Sequence, residues 1–328
     1  MKINNREKSQ RFFCPSFFPK TRKAQLFTVL AILLLFLMFF SFEIFSMIRE
    51  RQAITTRVAT MDSFLKSIED NLERQMYIAG FRIIFLAESH ITSTGSYINV
   101  NDFFNEAFFN GTVYGQPNQS ILQGATYSDF ISSINNKANR ISVNVTLYNS
   151  TITISQDDPW NVKFTLTSNL TMEDNRQLAR WQKQQIITAY IPVQGFVDPL
   201  FTVESHAIIS RKINKTIYEG QYVSPSDELT NFTDHVTKGL YAENSDAPSF
   251  LMKLEGNLSG DVNGIESIVY IPDFTTNVPG FVKEDKSVVD HIYFSEAWPI
   301  PQQIDGMPTS WFWIDEDHRI RYGLPKKK

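Results

Sequence analysis

The chain has a single cysteine, Cys14, so no disulfide can staple the three hundred or so residues beyond it, and that portion must rely on packing and strand pairing. Proline is missing between Pro19 and Pro117, and Gly80 is the only glycine of that stretch before Gly95. Little there can break a helix. Charge of either sign is missing from Ala24 up to Glu43. The five histidines, His90, His206, His235, His291 and His318, show no H-x-x-x-H or H-x-x-E-H spacing, which excludes the zinc-protease signatures. No G-x-S-x-G, Walker A or G-x-G-x-x-G sequence occurs, and no thiol nucleophile follows Cys14. No catalytic residue, cofactor or metal ligand is therefore assigned. Net charge is −4 with the basic residues gathered at the N-terminus, so the remainder is more acidic still and no nucleic-acid partner is expected.

What is present is one long apolar run. Residues 24–48, AQLFTVLAILLLFLMFFSFEIFSMI, are flanked by Lys20, Arg22 and Lys23 before and by Arg49, Glu50 and Arg51 after. About 20 apolar residues at 1.5 Å each cross a hydrocarbon core of roughly 30 Å, so the run is expected to be a transmembrane helix with the lipid bilayer as its partner. Lys2, Arg6, Lys8, Arg11, Lys20, Arg22 and Lys23 stand before it against the one acid Glu7, which keeps residues 1–23 cytoplasmic and places the rest outside. The expected localisation is the cell membrane, single-pass, with the C-terminal portion extracellular. Glu43, near the outer end, can snorkel to the headgroups.

Beyond the span, apolar residues recur at alternating spacings of four and three: Ile54, Val58, Met61, Leu65, Ile68 and Leu72, then Gln75, Ala79, Ile83 and Leu86. This heptad-like seam predicts that the membrane helix continues to about His90 as a stalk. The seam packs either on its own domain or on neighbouring subunits. Residues 101–111 and 127–140 read as short helices. Residues 141–155, 161–172 and 179–193 alternate apolar and polar side chains, with QDDPW as a turn, and read as an antiparallel meander. Further helices are expected at 226–240, with Ser226 as N-cap, and at 247–254. Short strands are expected at 264–271, 288–294 and 310–314. The fold class is α+β: a long N-terminal transmembrane helix continuing as an extracellular rod, then a β-rich head with antiparallel strands and short helices. The segments are 1–23 leader or tail, 24–48 span, 49–91 amphipathic stalk and 92–328 head.

Eight Asn-x-Ser/Thr sequons, at Asn110, Asn118, Asn144, Asn149, Asn169, Asn214, Asn231 and Asn257, all follow the span and none precedes it. That one-sidedness suits an outward, glycosylated domain. Asp157 and Asp158, and the cluster Asp315-Glu316-Asp317-His318, carry oxygen ligands of the kind a hard cation takes. The first pair reads as turn chemistry before Pro159, and the cluster as a solvated loop.

The junction Lys23-Ala24-Gln25-Leu26, a basic, a small and a polar residue opening onto the apolar run, resembles the class III signal peptide of archaeal type IV pilins. The resemblance implies cleavage by a prepilin peptidase between Ala24 and Gln25, with like subunits meeting through the stalk. The glutamate that many bacterial pilins carry near mature position five is replaced by Val29. From the span to the C-terminus the chain is also similar to a group of single-span archaeal surface proteins. The expected function is a non-enzymatic, pilin-like or minor-pilin-like surface subunit. The alternatives are an uncut, signal-anchored ectodomain that binds a ligand or cell-envelope component, and an envelope hydrolase using Asp157 or Asp158.

Overall fold

The stretch poor in helix breakers forms one helix, α1 (Arg22–Thr94), in the computed structural model, which describes residues 22–117, 120–225, 228–277, 280, 286–295, 302–307 and 311–326. The helix runs four residues past His90 and ends at Gly95, whose φ of +66° suits glycine at a helix C-terminus. The chain divides into two compact units, Met1–Asp62 and Ser63–Lys328. In the first, the described residues all belong to α1, and every large apolar side chain across residues 26–48 is exposed, Phe36 at 70% and Phe42 at 74%. Ile54 and Val58 are exposed as well.

In the second unit α1 buries a stripe. Leu65, Ile68, Leu72, Met76, Ala79, Ile83, Ile84, Ala87 and Ile91 are all covered by the same chain, so from Leu65 onward the seam serves its own domain. The expected seam positions Gln75 and Leu86 are only half-buried, because the covered stripe follows the 3.6-residue helical turn and drifts away from a strict heptad.

Two short helices follow, α2 (Val100–Asn110) and α3 (Tyr127–Arg140). The second opens on a capping box in which Thr126 and Asp129 satisfy each other's backbone N–H. Then come β1 (Val143–Asp158), β2 (Asn161–Asp174) and β3 (Arg180–Pro192), an antiparallel sheet in the order β1-β2-β3. Register pairs Val145 with Met172 and Phe164 with Ala189. Along β2 every second residue is buried, Val162, Phe164, Leu166, Leu170 and Met172 among them. The central strand alone thus puts five apolar side chains inside, each worth about 1.5–3 kcal/mol. Gly80 lets α1 close on this sheet: a Cβ there would stand 2.7 Å from Ile191 Cδ1 and 3.0 Å from Phe164 Cδ2. Glu69 of α1 pairs with Lys183 of β3.

The remainder is built from shorter pieces: α4 (Pro199–Glu204), α5 (Thr230–Thr237), β4 (Tyr241–Glu243), α6 (Phe250–Glu255), β5 (Ile265–Ser267), α7 (Ile271–Asn277), α8 (Asp290–Ser295), β6 (Gln302–Gln303), β7 (Trp313–Ile314) and α9 (Glu316–Arg321). Strands β4 and β5 pair antiparallel, as do β6 and β7. The expected strand at 288–294 is instead helix α8, with only Val289 bridging to Ile268. Asp290, His291, Tyr293 and Phe294 are all buried there, a two-sided burial that alternation cannot describe. The expected helix at 226–240 is reduced to α5, and its proposed cap Ser226 lies outside the described residues. Pro248 and Ser249 delay α6 to Phe250.

One α1 carboxyl reaches inward. Glu88 Oε1 accepts the N–H of Val197 at 2.5 Å, and burial, with Asp198 adding to it, pushes its pKa up to about 8 despite the Val197 bond and the Lys212 charge. The folded state therefore holds a proton that the unfolded chain releases near the ordinary value of 4.5. Stability falls as pH rises between those two values and levels off above about 8. Glu88→Gln keeps an acceptor for Val197 and removes the titration. The variant should be more stable than the parent at pH 8 by on the order of 2–4 kcal/mol, with a flat profile from pH 5 to 8 where the parent declines. Urea midpoints across that range check this, and parallel declines in both proteins would refute it.

Candidate functional site

The sequence-assigned residues are spread over the surface. Lys23 and Ala24 fall in the first turn of α1, and Gln25 is exposed. Asn110, Asn144, Asn149, Asn214 and Asn257 are exposed, whereas Asn169 and Asn231 are half-buried. The Asn231 amide donates to Gln221 O at 2.8 Å. Asn118 lies outside the described residues. Asp157 is held by Lys163 at 2.6 Å and Ser155 Oγ at 3.1 Å, while Asp158 accepts the Trp160 N–H at 2.8 Å. Both carboxylates therefore do what a β1–β2 turn requires.

The concentrated chemistry lies elsewhere, in the interior around β4 and β5. Lys253 of α6 is wholly buried between two wholly buried carboxylates, with its Nζ 2.8 Å from Asp198 Oδ2 and 2.7 Å from Asp290 Oδ2. Asp198 is the N-cap of α4, its Oδ1 accepting the Leu200 N–H at 2.8 Å, and its Oδ2 also takes the Tyr241 hydroxyl at 2.8 Å. Asp290 accepts from Ser267 Oγ at 3.3 Å and from the His291 N–H at 2.7 Å. Burial alone would push Lys253 down, but Asp198 and Asp290 outweigh it and hold the ammonium above its ordinary value. Burial would likewise raise Asp290, and Lys253 and His291 bring it well below the carboxylate range.

A second trio adjoins it. Glu266 of β5 is wholly buried and accepts from Tyr322 OH at 2.8 Å, Asn244 Nδ2 at 2.5 Å and His318 Nε2 at 3.2 Å. The other nitrogen of His318, Nδ1, lies 2.7 Å from Asp315 Oδ2. Asp315 caps α9 by accepting the His318 N–H at 3.0 Å. Burial works against a charged imidazole, yet Asp315 and Glu266 win and lift His318 to about 10. Glu266 and Asp315 are both held low by the same contacts against burial. Ile268 and Val269, just after β5, enter the two apolar clusters built around Phe232 and Phe312 and around Phe201 and Phe274. The charged groups and the apolar core are thus parts of one interior.

The expectation of a solvated loop at residues 315–318 is corrected: Asp315 and His318 are 5% and 6% exposed, while Asp317 is open to solvent and Glu316 partly so. Four adjacent polar residues look like surface until their distant partners are known. A local signal did exist, an Asp three residues before a His, which suits a cap that also holds the imidazole. Lys253 inside the apolar FLMKLE was the other. No family model matches the chain, and neither a curated protein nor a solved structure does.

Proposed function

We propose that this chain is a single-span, membrane-anchored surface protein of the pilin-like plan, a structural subunit held by the first part of α1 with its second unit outside the cell. The supporting observation is how α1 divides its burial. Across residues 26–48 its large apolar side chains are exposed on every side, with no described residue of its own chain covering them, a surface suited to lipid or to other apolar helices and costly in water. From Leu65 the same helix instead carries one stripe sealed by its own domain. Like subunits would therefore meet through the part of α1 before Met61, where Ile54 and Val58 remain exposed. The KAQL junction supplies the processing step, with cleavage leaving Gln25 first. The sequons, all after the span, suit an exported domain.

A second reading, an uncut signal-anchored ectodomain that binds a ligand, is favoured by one surface. Tyr77, Phe81 and Phe85 stand four residues apart on α1 and are each more than 40% exposed, beside an open cleft of about 440 Å³ lined by Asp70, Glu73, Arg74, Tyr77, Ala189 and Tyr190. N-terminal sequencing of the chain from its native membrane separates the two: a start at Gln25 supports the pilin-like reading, and a start at Met1 transfers the case to the anchored ectodomain. Protease added to intact cells should remove the second unit in both cases, and its survival would overturn both.

A further inference from the structure

We propose that Glu266, His291 and His318 form a binding site for a divalent transition-metal ion of the zinc class. Two imidazoles and one carboxylate are the donor set of zinc and its neighbours, unlike the all-oxygen shells of calcium and magnesium. Each of the three offers one ligand atom, and those atoms all lie within 4.8 Å of one another. All three residues are buried, at 0%, 7% and 6% exposure respectively. Zinc bonds of about 2.0–2.2 Å in a tetrahedral shell set ligand atoms roughly 3.3 Å apart, so binding would draw the widest pair together by up to about 1.5 Å.

Two features go beyond proximity. First, His318 Nδ1 is held by Asp315 at 2.7 and 2.8 Å, which leaves Nε2 as the nitrogen on the Glu266 side. Carboxylate, imidazole and metal in that order is how protein metal sites orient a histidine ligand. Second, His291 Nδ1 is buried and, among the described residues, has no hydrogen-bond partner. It lies 3.5 Å from Asp290 Oδ1, an ion-pair distance that gives the nitrogen no hydrogen bond of its own. A buried, unsatisfied ring nitrogen is costly unless something uses it.

The site does not depend on whether the leader is cut, so its test stands apart from the pilin-like reading. The probe is Zn²⁺ alone, with Co²⁺ as the spectroscopic stand-in, added to the full chain in detergent after chelation and dialysis. The expected results are one equivalent bound, a rise in thermal midpoint with saturation, and visible Co²⁺ absorption of low-coordinate N/O type. His291→Gln leaves the Glu266–His318–Asp315 ion pairs intact and should remain folded, yet lose at least tenfold in Zn²⁺ affinity. His206→Gln, on an exposed turn residue, should change nothing. Should His291→Gln prove unfolded, Asp315→Asn, which keeps a polar partner for His318, should still weaken binding by tenfold or more. The proposal is overturned if the folded parent binds less than one equivalent with no rise in its midpoint. Binding that His291→Gln and Asp315→Asn leave unchanged would overturn it equally.

Discussion

Replacing Lys253 with methionine should destabilise the second unit by roughly 3–5 kcal/mol, the cost of leaving buried charge uncompensated. That is much of a typical domain's total stability. Methionine nearly matches the lysine stem, so the loss is electrostatic and no large cavity opens. What remains is Asp198 and Asp290, both wholly buried, with Tyr241, Ser267, backbone N–H groups and the His291 ring, at 3.5 Å, around them in place of the ammonium. Two carboxylates without their cation favour the neutral acid, so the variant should regain stability as pH falls toward 5. Asp198→Asn and Asp290→Asn added to Lys253→Met should restore much of the loss, because a neutral polar core costs less than an unpaired charge. Urea unfolding of the full chain in detergent, followed by tryptophan emission, measures all three. An unchanged midpoint for Lys253→Met alone would mean that the ammonium is not what holds this interior together.

The ease of reading this chain from its sequence follows how local its interactions are. Helix α1 announces itself through missing breakers, and α3 through Tyr127 to Arg140 with Phe130, Ile134 and Ala138 on one face. The meander is legible because β2 has one strictly buried side, so its alternation is the sheet's own period. Beyond β3 that advantage ends. Elements of two to eight residues carry too little periodicity to be told apart, and 288–294 has buried residues on both sides and so suggests a strand where α8 forms. The ionic interior is harder still. Its groups come from the N-cap of α4 and from β5, α6, α8 and α9, with Lys253 and Asp198 separated by 55 residues and Glu266 and His318 by 52. No spacing rule reaches that far, which is why a search for short histidine motifs passed over His291 and His318. The two possible covers for the stalk seam were likewise beyond sequence, since both produce the same stripe.

The structure covers the stripe from Leu65 onward with its own chain, and one pair of substitutions turns that into an expected result. Leu65→Glu with Ile68→Glu should unfold or loosen the second unit even in a monomer. Leu65 and Ile68 are 6% and 3% exposed within their own chain, and full burial of each is worth about 1.5–3 kcal/mol. The pair therefore forfeits roughly 3–6 kcal/mol before the cost of bringing two carboxylates toward an apolar sheet is counted. Neighbouring Glu69 already serves Lys183 of β3, and Lys183 cannot serve two further acids. The matching control is Ile54→Glu with Val58→Glu, at positions 40% and 37% exposed, where the folded unit should shift by no more than about 0.5 kcal/mol. If like subunits meet through that part of α1, the control pair should lose co-assembly while keeping its fold, the reverse of the first pair. Urea unfolding paired with cross-linking in native membranes reads both properties at once. A Leu65→Glu, Ile68→Glu chain that kept its fold and lost only its cross-links would place the subunit contact on the buried stripe and overturn the assignment of that stripe to its own domain.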